Sequence, residues 1–234
     1  MTDQPDLPPA GGEALDSRSL DEAVAEAALR EIACSSALFG GNAAVKFGLK
    51  RLMRDHSATE RLAILDVGAG AGEGTLRARR FLGLNRSHPI ALDHHRTAAR
   101  MCKGRGIPAI VGDMRQPPVR NRGIDIVVVN LVLHHFARPE AVPLLARLDE
   151  LARIGVVIAD LRRSAVAAAG FGLAGRVLRF HEVTRRDGQL SIRRGFTATE
   201  LVGIIREAGI RDAVVHRRPG WRLVAYWKTS NANS

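Results

Sequence analysis

Aromatic side chains are scarce, making up 4% of the 234 residues, so the chain has few platforms on which unpaired bases could stack. Cysteine is nearly absent. Cys34 and Cys102 show neither C-x-x-C nor Cys/His spacing, which excludes a disulfide framework and a zinc site, and both read as core packing. No apolar stretch approaches the roughly 20 uncharged residues of a membrane span. The first residues lack the basic and apolar regions of a signal peptide, and a cytoplasmic location is expected. Lysine is reduced to Lys46, Lys50, Lys103 and Lys228, so the basic charge is carried almost wholly by arginine.

That charge is large: 35 basic against 24 acidic residues, a net +11, and an isoelectric point near 11.1. It invites a nucleic-acid reading. Against this, no basic run exceeds a pair of arginines, so a nucleic-acid partner is disfavoured. The arginine- and alanine-rich composition of a GC-rich genome accounts for much of the charge, and attraction of an anionic acceptor is the sharper reading. Hydrophobic content of 46% and charged content of 25% are ordinary for one globular domain. The sequence leaves the oligomeric state open.

Pro5, Pro8, Pro9, Gly11 and Gly12 make residues 1–18 an expected disordered tail. Residues 19–57 predict a helical cap of two helices, Leu20 to Ile32 capped by Ser19, and Asn42 to Arg54. The main domain, 58–234, alternates strands with helices, which requires a parallel sheet with right-handed crossovers. Strands are predicted at Leu62–Leu65, Pro89–Asp93, Ala109–Val111, Ile124–Val129 and Val156–Asp160. Helices are predicted at Thr75–Leu82, after His94-His95-Arg96 to about Arg105, and at Val142–Arg153 with Pro143 in its first turn. Thr197 and Glu200 form a capping box for a helix to Ala208. Val214–His216 and Leu223–Trp227, joined through Pro219-Gly220, suit a closing hairpin that adds an antiparallel edge.

The chain is organised around Leu62-Ala-Ile-Leu-Asp66-Val-Gly68-Ala-Gly70-Ala-Gly72-Glu-Gly-Thr75. An apolar strand runs into glycines and then a helix start, whose free N–H groups face whatever lies against the loop. The nicotinamide spacing G-x-G-x-x-G fails, because its third glycine falls on Glu73 or Thr75. Asp93 follows Gly72 by about 20 residues, the separation at which a strand-end carboxylate reaches ribose hydroxyls. Asp113 is placed to take an adenine amino group and Met114 to pack on the ring. His94 and His95 flank the adenosine pocket, and a metal role for that pair is disfavoured. Asp66, Asp93, Asp113, Asn130 and Asp160 all fall at the strand ends, where open α/β sheets bind ligands.

Asp66-x-Gly68-x-Gly70-x-Gly72, Asp93, Gly112-Asp113, Ile124 to Phe136 and the final hairpin together resemble class I S-adenosylmethionine-dependent methyltransferases. Leu131-Val-Leu-His-His135 is similar to the small-molecule branch with ubiquinone and menaquinone methyltransferases. Val156 to Ser164 with Asp187 to Thr197 is similar to methyltransferases found beside type III polyketide synthases. The resemblance implies a Rossmann-like fold, a mostly parallel seven-stranded sheet with an antiparallel C-terminal edge and a helical cap. It implies S-adenosyl-L-methionine as cofactor, held by Asp66, Gly68, Gly70, Gly72, Asp93, His94, Asp113, Met114 and Asn130. No Asn/Asp-Pro-Pro-aromatic motif follows the fourth strand, which disfavours base methylation.

Methyl transfer needs two reactants held close and in line, and an O-acceptor must also lose a proton. His134 or His135, just past the fourth strand, is the candidate base. Residues 162–196 form an insertion that should lie over the acceptor as a mobile lid, with Asp160, Arg193 and Arg194 as candidate acceptor contacts. The expected reaction is O-methylation of a small hydrophobic aromatic, polyketide-like or quinone-like acceptor. Carbon methylation of a quinone ring is the enzymatic alternative, and an RNA-binding module retaining the fold is the non-enzymatic one.

Overall fold

The computed structural model describes residues 21–56, 61–83 and 87–229. The expected tail and the Ser19 cap lie outside the described residues. Asp21 caps the first helix, its Oδ1 accepting the N–H groups of Ala23 and Val24.

The elements run α1 (Glu22–Leu38), α2 (Gly41–Leu52), β1 (Leu62–Val67), α3 (Glu73–Leu82), β2 (Ser87–Asp93), α4 (Arg96–Gly104), β3 (Ala109–Val111) and β4 (Ile124–Asn130). There follow a short turn of helix (Leu133–His135), α5 (Arg138–Leu151), β5 (Ala152–Leu161), α6 (Ala165–Val177), α7 (Glu182–Arg194), α8 (Ala198–Glu207), β6 (Val214–Arg218) and β7 (Arg222–Lys228). They build one seven-stranded sheet in the order β3-β2-β1-β4-β5-β7-β6. β1 to β5 pair in parallel, and β7 is antiparallel to both β5 and β6.

The apolar runs reflect burial on both faces. Leu65, Val67, Val127, Val129, Val156 and Ile158 pack under α5 and α8. The alternate residues Leu62, Ile64, Ile126, Val128, Val157 and Ala159 pack under α2 and α3. Asp125, which interrupts β4, lies beside an irregularity in the β4–β5 register. Its carboxylate accepts Ala63 N–H at 2.7 Å and Arg153 Nε at 2.8 Å, so the buried charge is paired.

Three differences from the sequence reading have physical causes. α2 forms a layer of the core, with Leu49 and Leu52 fully buried, because Gly48 lets its backbone close on Val157. α5 begins at Arg138, which puts Pro139 in the first turn and Pro143 inside the helix. Cys34 is exposed on α1, whereas Cys102 is buried. Among the described residues no helix is long and apolar enough to cross a membrane.

Candidate active site

A cavity of about 940 Å³ opens at the carboxyl ends of the parallel strands, lined by residues of α1, the glycine loop, β2, β4, α6, α7 and the β6–β7 turn. Gly68 and Gly72 both have left-handed backbones, φ 69° and 82°. A side chain on Gly68 would overlap Val132, and one on Gly72 would press on Ile107 and Cys102. These positions need glycine both for conformation and for space. Gly70 instead faces the open cavity, with Leu29 as its nearest neighbour.

Asp93, at the end of β2, is buried and holds the loop. Its Oδ2 accepts Gly70 N–H and its Oδ1 accepts His95 N–H, at 2.9 and 2.8 Å. Each oxygen keeps capacity for a further donor, as two ribose hydroxyls would require. Burial pushes the Asp66 carboxyl up to about 6, against the lowering effect of the Thr75 hydroxyl bound to it, and the Asp93 charge adds to the rise. Asn130 lines the same space, and its Oδ1 is buried without a hydrogen-bond partner. An acid and an orphaned acceptor on one wall fit a cationic ligand group.

Asp66, Gly68, Gly70, Asp93 and His94 all lie on the cavity wall. So do Asp113, Met114, Asn130, His134 and His135. Gly72 stands behind the loop. His94 is largely exposed, 3.6 Å from Asp93 Oδ1, and His95 caps α4 through its Nδ1. Arg115 holds the Asp113 carboxylate through Nε and Nη2 at 3.0 and 2.8 Å, which keeps the Asp113 carboxyl below its usual range.

Asp160, Arg193 and Arg194, expected at the acceptor, stand off the cavity wall. Asp160 is 0% exposed because it serves His134: Oδ1 lies 2.6 Å from His134 Nδ1, and Oδ2 accepts the His134 backbone N–H at 3.2 Å. Leu161 N–H adds a third bond, at 2.6 Å. Burial alone would push the Asp160 carboxyl up, but the His134 charge and these hydrogen bonds outweigh it and hold the carboxyl low. An ionised Asp160 places the imidazole proton on Nδ1 and leaves Nε2 able to accept one. The His135 ring lies against that of His134, centroids 4.4 Å apart. Arg193 is exposed on the outer face of α7, and Arg194 is buried within the hairpin.

The sequence reading missed α7 as a helix and, with it, Thr184 and Asp187, which line the cavity. Their spacing with Ser191 puts all three on one helical face, a signal present in the sequence. Arg222 and Ser36 were also missed. Both are buried on the cavity wall.

Residues 64–155 match the methyltransferase-domain family. That stretch, under half of the chain, is similar to methyltransferase domains. No curated protein sequence matches the chain. Among solved structures, a SAM-dependent methyltransferase from Aquifex aeolicus has a TM-score of 0.56 at 16% identity, covering 77% of this chain and 88% of that one. A putative O-methyltransferase from Nostoc punctiforme gives 0.57 at 16%, over 81% of this chain and 57% of its own. Magnesium protoporphyrin IX methyltransferase from Synechocystis, with bound SAH, gives 0.54 at 15%, over 82% and 84%. These likenesses are of fold. The fold is the Rossmann-like one of these methyltransferases, with a mostly parallel seven-stranded sheet and an antiparallel C-terminal edge. Among the described residues no group of three or more His, Cys, Asp or Glu could hold a metal.

The Asp66 shift gives a pH prediction. A cationic ligand group beside Asp66 favours its ionised form, so proton and cofactor compete. Affinity for S-adenosylhomocysteine, which keeps the ammonium, is expected to be full above pH 6 and to fall below it, approaching about tenfold per pH unit. Calorimetric titration across that range checks it. The Asp66→Asn variant should lose this dependence, and a flat wild-type profile would remove Asp66 from the cofactor's charged end.

Proposed function

We propose that this protein is a cytoplasmic O-methyltransferase acting on a hydroxyl of a small aromatic, polyketide-like or quinone-like acceptor, with His134 as base. The observation that carries this reading is the His134–Asp160 pair on the wall of the cavity that also holds Asp66 and Asn130. The cofactor supplies an electrophilic methyl group on a sulfonium. Asp93 and the loop position its adenosine, with Asp113 and Met114 at the adenine, while Asp66 and Asn130 take the ammonium. His134 Nε2 takes the acceptor's proton, and the buried Asp160 offsets the imidazolium charge. Ile32, Phe39, Leu161 and Phe171 give the rest of the cavity an apolar wall suited to a hydrophobic acceptor.

The insertion is a hairpin of α6 and α7 that closes the acceptor end. Its base is held by Arg163 N–H to the Phe196 carbonyl and Phe196 N–H to the Leu161 carbonyl, both 3.0 Å. Its far end meets α1, where His181 N–H donates to Glu31.

The test is incubation with methyl-labelled S-adenosylmethionine and a panel of phenols, hydroxylated polyketides and quinols. A labelled methyl ether is expected. A carbon-methylated ring would replace the O-methyl reading with its alternative. No transfer to any acceptor, together with retention of bulk RNA at physiological salt, would favour the binding-module reading, since phosphate-driven binding weakens steeply with salt.

A further inference from the structure

Arg222 opens β7 and is 5% exposed, yet its Nε has no hydrogen-bond partner. It pairs with Leu161 across the β5–β7 ladder, so the two side chains leave the sheet on the same face. That face is the one on which Leu161 packs with Ala167, Ala168 and Ile192 of the α6–α7 hairpin. Both Arg222 and Leu161 line the cavity.

Burying a guanidinium whose Nε lacks a hydrogen-bond partner is costly, and burial pushes the Arg222 group down to about 10 against the opposing pull of the Asp160 charge. Asp160 acts on Arg222 through its charge alone: the hydrogen bonds its carboxylate accepts come from His134 and Leu161, and Arg222 Nε donates to nothing. Two further buried hydroxyls in the cavity, Thr184 Oγ1 and Ser36 Oγ, also lack partners. The turn before Arg222 is pinned, since Gly220 and Gly40 bring the β6–β7 turn against the joint between α1 and α2. Trp221, with a left-handed backbone at φ 53°, stands on the cavity wall beside it. A rigid support, an unsatisfied planar donor and an apolar surround describe a site for a planar anion attached to a hydrophobic body.

We propose that Arg222 reads a carboxylate on the acceptor, so that the substrate is an amphipathic hydroxy acid whose apolar body lies against Phe39, Leu161, Phe171 and Trp221. Thr184 and Ser36 supply further polar contacts within the same cavity. The inference rests on the methyltransferase reading above and narrows its acceptor class. It also explains how one residue of β5, Asp160, can serve His134 while the next, Leu161, stands beside the anion site.

The test compares hydroxylated aromatic acids, 4-hydroxybenzoate among them, with their neutral methyl esters by calorimetry in the presence of S-adenosylhomocysteine. Wild type should bind at least one acid about tenfold or more tighter than its ester, the scale of a charge-assisted bidentate pair. Arg222→Met should lose that preference and melt no lower than wild type, because its removal strands no hydrogen-bonded partner. Arg222→Lys, which keeps the charge without the fork, should fall between them and covers the case in which the Met variant does not fold. If no acid outbinds its ester while S-adenosylhomocysteine binds normally, the proposal is overturned. It is equally overturned if Arg222→Met melts lower and keeps the preference, which would make Arg222 a structural counter-charge to Asp160. Failure of S-adenosylhomocysteine to bind wild type would instead remove the methyltransferase reading itself.

Discussion

Changing His134 to Gln is expected to lower turnover by about 10²-fold or more while leaving affinity for S-adenosylhomocysteine near that of wild type. Gln can still donate to Asp160, so the pocket keeps its shape and loses the group that accepts the acceptor's proton. Asp160→Asn should act in the same direction by a different route. An amide cannot hold the imidazole proton on Nδ1 as a carboxylate does, and it gives the imidazolium no counter-charge. His135→Gln should cost less, since the carboxylate partner belongs to His134. Steady-state kinetics over a pH series, with an acceptor identified from the panel, read all three. Near-normal turnover of His134→Gln throughout that series would mean that catalysis is positioning alone, with the dyad serving only to brace the turn after β4.

Removing the Asp93 carboxylate should weaken S-adenosylhomocysteine binding by roughly 1.5 to 3 kcal/mol, the scale of hydrogen bonds to a charged group, or about 10- to 150-fold. Two losses combine in Asp93→Ala. The ribose loses its acceptors, and Gly70 N–H and His95 N–H lose theirs, so the loop that faces the cofactor is no longer tied to β2. Asp93→Asn separates them in part, because its single carbonyl can serve one of the two backbone donors. It should bind with an intermediate affinity and melt above the Ala variant. Unchanged affinity in Asp93→Ala would take this carboxylate out of the site.

That the glycine loop and the strand-end acids would gather in one place was legible because their pattern is local in sequence. Glycines at fixed offsets after an apolar strand, and acids at the ends of strands, keep their meaning whichever way the chain later folds, and Asp66 and Asp93 stand on the cavity wall. Buried parallel strands were legible for a related reason: residues such as Ile126 to Val129 are apolar on both faces because both faces are covered. The placement of Asp160, Arg193 and Arg194 depends on long-range contacts and was not legible. Asp160 looked like any strand-end acid, and only the fold shows it turned inward to His134, 26 residues earlier in the chain. The paired arginines at 193 and 194 drew attention by charge, yet α7 sends Arg193 outward and buries Arg194 within the hairpin. α7 itself was hidden by Gly188, which weakens helix propensity but is required because Phe171 packs where its side chain would be. Arg222 carried no local signal at all. Its significance comes from the β5–β7 register and from the absence of a partner for Nε.

A crystal structure with S-adenosylhomocysteine tests most directly whether the glycine loop and Asp93 hold the cofactor. The predicted result has the ribose hydroxyls on the Asp93 carboxylate, the adenine beside Asp113 and Met114, and the ammonium between Asp66 and Asn130. Cofactor bound elsewhere, or none bound at saturating concentration, would contradict it.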